Sequence, residues 1–166
     1  MIPDKPMMDR YRWLGLAIGV ALADQGAKHW IAGTFPLGAG ETVLPFFNLV
    51  HILNSGAAFS FLANAGGWQR YVFIALALVV SVGLTIILLK GVANRWEGWG
   101  YSLLLGGAVG NLVDRLVQGA VVDYLDFHAG GWHWPAFNLA DTALCLSALI
   151  LLWGTLLSSA QSKATP

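Results

Sequence analysis

Four long apolar runs divide the chain: Trp13–Ala32, Tyr71–Leu89, Trp99–Val117 and Leu139–Ser158. About 20 predominantly apolar residues suffice for a helix to cross the hydrocarbon of a bilayer, so each run predicts a membrane-spanning helix. The second run, YVFIALALVVSVGLTIILL, has no charge at all. The first carries Asp24, Gln25 and Lys28, the third ends in Asp114 and Arg115, and the fourth opens with Asp141. Between the first two runs, ETVLPFFNLVHILNSGAAFSFL alternates aliphatic, aromatic and polar residues from Pro45 to Gly56. That pattern predicts short strands or an amphipathic segment lying at the interface. The connection Gln118–Phe137, rich in Gly, His and Trp, is a second place where structure beyond the spans could form, with no particular element assigned to it. Neither a repeat nor a low-complexity linker interrupts the pattern. The expected fold is therefore an all-α membrane protein of one domain, residues 1–166, with four transmembrane helices. A small extracytoplasmic strand-containing or amphipathic segment sits between spans 1 and 2.

Composition supports lipid as the solvent. Hydrophobic residues make up 57% of the 166 and charged residues only 11%, where a soluble domain has about one quarter charged. Mean hydropathy is +0.63. Eight Trp residues, many flanking the apolar runs, fit the aromatic belts of a bilayer. Formal net charge is zero, which offers no basic field for nucleic acid. The single Cys145 cannot form an intrachain disulfide.

Basic residues set the direction of the spans. Lys5, Arg10 and Arg12 precede the first, Lys90 and Arg95 join the second to the third, and Lys163 follows the fourth. Four spans put all three groups on one side, the cytoplasm, with both termini inside. Lys28, Arg70 and Arg115 lie towards the other face. A cleavable signal peptide competes for the N-terminal region, since basic residues and an apolar stretch end in Ala21–Ala23 before Asp24.

Ionisable groups within membrane segments raise a functional hypothesis by default. Asp24 and Lys28, at i and i+4, pair on one helix face, either as a neutralised structural pair or as a substrate-facing one. Asn54-Ser55-Gly56 is a turn signal, which reads most simply as a loop. Gly106 and Gly110 form a small-xxx-small pair for helix packing, and Asn111, Asp114 and Arg115 share a face one turn further on. Asp123 and Asp141 are 18 residues apart, yet the third span runs outward and the fourth runs back. Topology therefore brings both acids to the outer face. Two carboxylates sharing a proton support aspartic-protease chemistry. The plain alternatives are a solvated loop acid at Asp123 and a helix cap in which Asn138 at N-cap precedes Asp141 at N3.

No G-x-S-x-G, H-E-x-x-H or phosphate-binding glycine loop is present. His128 and His133 lack a Cys or acid that completes a clear ligand set, so neither metal nor cofactor is expected. Two other function classes compete with hydrolysis. A carboxylate-based proton or cation transporter would use Asp24, Asp114, Asp123 and Asp141 as a relay spread through the bilayer depth. A non-catalytic scaffold would use them as caps and ion pairs.

Four blocks taken together resemble the bacterial lipoprotein signal peptidases, also called signal peptidase II. They are DQGAK (Asp24–Lys28), NSGAAFS (Asn54–Ser60), GGAVGNLVDR with GAVVDY (Gly106–Tyr124) and PAFNLADT (Pro135–Thr142), in the family's order across nearly the whole chain. The resemblance implies an aspartic endopeptidase of the bacterial cytoplasmic (inner) membrane. Its substrates are diacylglyceryl-modified prolipoproteins, cut just before the lipidated cysteine. It implies Asp123 and Asp141 as the catalytic acids. Asp24, Lys28, Asn54, Gly56, Asn111, Asp114, Arg115 and Asn138 are the supporting residues, with no metal. It further implies an active site near the outer face, a retained first span and inhibition by globomycin-type cyclic peptides. Small departures are Ala27 where Ser or Thr is usual, Tyr124 in place of Phe in VVDF, and Thr142 where Ser is common. The interfacial segment around Phe46–Phe61 is expected to cover the substrate.

Overall fold

The structure, a computed structural model, describes residues 7–56 and 66–164. Helix α1 (Met7–Thr34) leads into a hairpin of β1 (Gly40–Leu44) and β2 (Phe47–Asn54). Helices α2 (Trp68–Lys90) and α3 (Arg95–Val117) follow, then β3 (Val121–Ala129), β4 (Trp132–His133) and α4 (Leu139–Ala164). The four helices cover all four apolar windows and overrun most of their ends. Among the described residues, α2 and α4 are long and apolar enough to cross a membrane. Helices α1 and α3 carry most of the buried charge. Gly91 closes α2 with φ 95°, its N–H donating to Ile87 and Leu88 carbonyls. Asn94 then starts α3 by accepting from the Trp96 and Glu97 amides, while Glu97 reaches back to the Ala93 amide. This is the logic of a capping box, with the returning bond made one residue before the N-cap.

Helix α3 is central, packed against α1, α2 and α4. Small residues let the backbones approach. A Cβ on Gly106 would lie 2.7 Å from the Ala17 carbonyl oxygen, and one on Gly107 2.6 Å from that of Ala140. One on Gly110 would lie 2.5 Å from Asp24 Oδ2. Gly15 and Gly19, by contrast, face open space. Trp13, Ala17, Leu84, Leu88, Val92 and Leu105 form the apolar core between α1, α2 and α3. The outer surface is apolar too: Leu22 is 67% exposed, Val79 72% and Leu149 63%. A helix bundle with oily side chains facing outward is the inverse of a soluble one and suits lipid.

Four strands form one antiparallel sheet in the order β1-β2-β3-β4. The expected outer segment between the first two helices does contain strands, β1 and β2. The connection between α3 and α4, to which the sequence assigned no particular element, supplies β3 and β4. Val121–Ala129 (VVDYLDFHA) is rich in β-branched and aromatic residues, but its two acids mask the alternation. Pairing with β2 outweighs this: Phe47 opposes Phe127, Asn48 opposes Asp126, and the register shifts between Leu49 and Ile52 so that Ile52 opposes Asp123. One face of the sheet seats Val122 and Tyr124 against Ile31 of α1. The C-terminal ends of α1 and α3 and the N-terminal ends of α2 and α4 gather beneath it, with Arg70 donating to the Leu116 carbonyl.

Replacing Gly106 by Ala should cost about 1–3 kcal/mol, because the Ala17 carbonyl and Val20 must move. Thermal unfolding in detergent checks this, with Gly15→Ala, which meets open space in α1, expected to hold or raise Tm. Equal Tm values for both variants would contradict the close α1–α3 seam.

Candidate active site

Lys28 anchors the site from below. Its ammonium, 2% exposed, lies 2.8 Å from Asp24 Oδ2 and 2.9 Å from Asp114 Oδ2, and donates to Asn111 Oδ1 at 2.9 Å. Desolvating a lone ammonium is prohibitive, so these three oxygens are a condition of its burial. Asp114 also accepts from Gln25 Nε2 at 2.8 Å and from the Val122 amide at 3.0 Å. This ties α3 to both α1 and β3. Asp24 accepts the Ala140 amide at 2.9 Å, which ties α1 to the first turn of α4.

Above this base, Asn138 joins the two acids of interest. Its Nδ2 donates to Asp123 Oδ1 at 2.8 Å, and its Oδ1 accepts the Asp141 amide at 2.8 Å. The helix cap expected at Asn138 is thus present, and the same side chain contacts Asp123. The other oxygen of Asp123 accepts from Asn54 Nδ2 at 2.9 Å. Asn111 donates to Asp141 Oδ1 at 2.8 Å while its own oxygen faces Lys28 and Asn138. Arg115 donates to the Gly56 carbonyl at 2.8 Å, sits over the Phe73 ring and lies within electrostatic range of Asp141, Asp123 and Asp114. Gly56 donates in turn to Asn54 Oδ1.

Burial, followed by the charge of Asp141, pushes the Asp123 carboxyl up to about 7. Hydrogen bonds from Asn54 and Asn138 and the charge of Lys28 oppose the rise. Among the described residues, Lys28 and Arg115 are the cations that face Asp24, Asp114, Asp123 and Asp141 in this network. One retained proton relieves that imbalance. The arrangement can therefore hold a carboxylic acid and a carboxylate side by side at neutral pH, the requirement for activating water against a carbonyl.

Every site residue expected from the sequence falls in this one connected network: Asp24, Lys28, Asn54, Gly56, Asn111, Asp114, Arg115, Asp123, Asn138 and Asp141. Within NSGAAFS, Ala57–Ser60 lie outside the described residues, as does the Phe59–Phe61 end of the expected cover. Phe46, at its other end, lines an apolar groove with Phe127, Trp132, Trp134 and Phe137. Two residues that the sequence reading named without assigning them to the site also take part. Gln25 is adjacent to Asp24 in DQGAK, and its polarity within an apolar run was the available signal. The Tyr124 hydroxyl accepts the Leu139 amide at 3.1 Å, a contact that local spacing does not announce. The acid missing from the His128–His133 pair also emerges, since Asp126 lies 2.8 Å from His133 Nδ1. Among the described residues no group of three metal donors forms.

The model of the family described as Signal peptidase (SPase) II matches residues 16–157. The lipoprotein signal peptidase of Yersinia enterocolitica is 44% identical over 154 residues, 92% of this chain and 91% of the relative. That of Paraburkholderia phymatum is 48% identical over 144 residues, 87% of each. A solved bacterial membrane enzyme superposes with a TM-score of 0.81 at 29% identity, covering 93% of both chains. Another gives 0.74 at 30% identity, covering 87% of this chain and 92% of that one. With its four motif blocks gathered at one site and these matches spanning nearly its full length, the chain belongs to the signal peptidase II family.

Proposed function

We propose that the chain is an aspartic endopeptidase that removes the signal peptide from diacylglyceryl-modified prolipoproteins, cutting just before the lipidated cysteine. The observation that carries this reading is the Asn138 bridge, which holds Asp123 and the first turn bearing Asp141 with one side chain. With the shared proton on Asp123, Asp141 is the partner left to take a proton from water. The hydroxide formed attacks the scissile carbonyl, polarised by protonated Asp123. The tetrahedral intermediate collapses with cleavage of the C–N bond, and the proton passes to the departing cysteine amine. Asn54, Asn111 and Arg115 offer donors to an extended substrate backbone, which has few other partners at a dry membrane surface.

The whole chain, residues 1–166, is read as one integral domain with four spans. The helices of 28, 23, 23 and 26 residues all exceed the roughly 20 needed to cross hydrocarbon. The basic residues favour both termini in the cytoplasm and the sheet end of the bundle at the outer face of the inner membrane. There a lipidated substrate keeps its acyl chains in the bilayer and presents the scissile bond at the surface. A globomycin-type cyclic peptide is expected to occupy the same cleft. The transporter reading is disfavoured because Asp24 joins Asp114, Asp123 and Asp141 in one cluster at one end, not in a relay across the bilayer.

Reconstituted protein and a lipidated precursor test the assignment. Asp123→Asn and Asp141→Asn should each reduce cleavage by about 10²–10⁴-fold or more while leaving the helical signal intact. Near-full activity in either variant would sink the dyad.

The raised carboxyl of Asp123 sets two pH dependences. Cleavage should decline as pH rises through about 7, where the shared proton is lost. Stability follows the same sign: between 3.8 and about 7 the folded chain binds a proton at Asp123 that the unfolded chain does not. Wild-type stability from this group is therefore lost as pH rises through that window. Asp123→Asn, neutral throughout, should melt above the wild type at pH 8, with the gap closing towards pH 4. A gap independent of pH would show that Asp123 is not buried with a raised pKa.

A further inference from the structure

We infer that Tyr124 is a positioning residue that sets the first turn of α4, and with it Asp141, against the strand bearing Asp123. This rests on the aspartic reading above. An α-helix begins with backbone N–H groups that have no intrahelical partner. In α4 these are satisfied by side chains from three places: Leu139 by the Tyr124 hydroxyl of β3, Ala140 by Asp24 of α1, and Asp141 by its own cap, Asn138. Tyr124 follows Asp123 directly, and Leu139 precedes Asp141 by two residues. Their hydrogen bond is thus a second strap between the two acids, beside the one through Asn138.

The ring and the hydroxyl of Tyr124 have separable tasks. The ring packs with Ile31 and Val122, which any large apolar side chain would do. The hydroxyl adds the hydrogen bond to the helix, which a phenylalanine at this position would lack. Tyr124 is 6% exposed, so water is a poor substitute for the lost bond. Burial, reinforced by the charges of Asp24, Asp141 and Asp123 and opposed by the Leu139 hydrogen bond, pushes the phenol up to about 12. It stays neutral and is not itself a proton donor in the reaction. Backbone bonds reinforce the same junction, with the Tyr124 and Leu125 amides both donating to the Phe137 carbonyl. These fix the strand against the chain entering α4, while the hydroxyl hydrogen-bonds the first residue of the helix itself, Leu139, which also packs against the Ile31, Val122 and Tyr124 cluster.

The test uses the full chain and a lipidated precursor. Tyr124→Phe removes one oxygen and should lower kcat by about five- to tenfold with KM within twofold, since misplacement of a reacting group acts on the chemical step. Looser coupling to Asp141 should also move the alkaline limb of the pH profile to lower pH. Leu139→Pro deletes the donor at the first helical position, where proline is tolerated, and should act in the same sense. In the double variant the two effects should not add, because both remove the same bond. Wild-type kcat with an unmoved alkaline limb in Tyr124→Phe overturns the inference, as do fully additive effects in the double variant. If Tyr124→Phe does not fold, Leu139→Pro decides alone: an unchanged kcat and pH profile overturns the strap. Activity surviving in Asp123→Asn would instead sink the aspartic reading. A wild-type-like Tyr124→Phe, where Asp123→Asn is inactive, rejects only the role of Tyr124.

Discussion

The buried ammonium of Lys28 is the constraint on which the site depends. It touches Asp24, Asp114 and Asn111 with almost no exposure to solvent. Each of those partners then makes a second contact in a different element. Asp24 caps α4, Asp114 holds the start of β3, and Asn111 reaches Asp141. Removing one partner of such a buried pair costs about 3–5 kcal/mol, because the remaining charge is left desolvated. The ion cluster is thus less a source of net stability than a device that permits only one arrangement of α1, α3, α4 and the sheet. Close approach of backbones is its precondition, and Gly110 beside Asp24 supplies it.

Above that base the linking groups are amides. Asn54, Asn111 and Asn138 each offer a donor and an acceptor without adding charge. This suits a place where carboxylates already outnumber cations. Asn138 shows the economy of the arrangement, capping a helix with its oxygen and holding Asp123 with its nitrogen. The amides orient the acids but do not neutralise them, so one carboxyl keeps its proton to about 7. Losing that proton at high pH costs the fold stability, a burden of the kind that clusters at functional sites.

The sheet walls one side of this cluster. Strand β3 alternates direction, sending Asp123 towards the amides and Tyr124 against α1 and α4. The register shift in β2 between Leu49 and Ile52 sets Ile52 against Asp123, two residues before Asn54. Bulges recur next to active sites for this reason, since one extra residue re-aims a side chain. Family membership accounts for what kind of reaction occurs here, and the hydrogen bonds account for how two distant segments are held in register.

The sequence by itself determined the four helices, because long apolar runs and their breakpoints are local and strong signals. It also determined the list of polar residues, since amides and charges in otherwise apolar segments stand out one by one. The capping role of Asn138 was legible from three-residue spacing for the same reason. What only the tertiary structure decided was connection. Strand β3 was hidden because its pairing partner lies some 70 residues away and its acids break the pattern of alternation. The joining of Asp123 to Asp141 through Asn138, the triple coordination of Lys28 and the Tyr124 strap all depend on distances between segments that composition and periodicity do not encode. Hydrophobic patterning specifies which face an element buries; the identity of what it meets there is settled only when several elements close on one another.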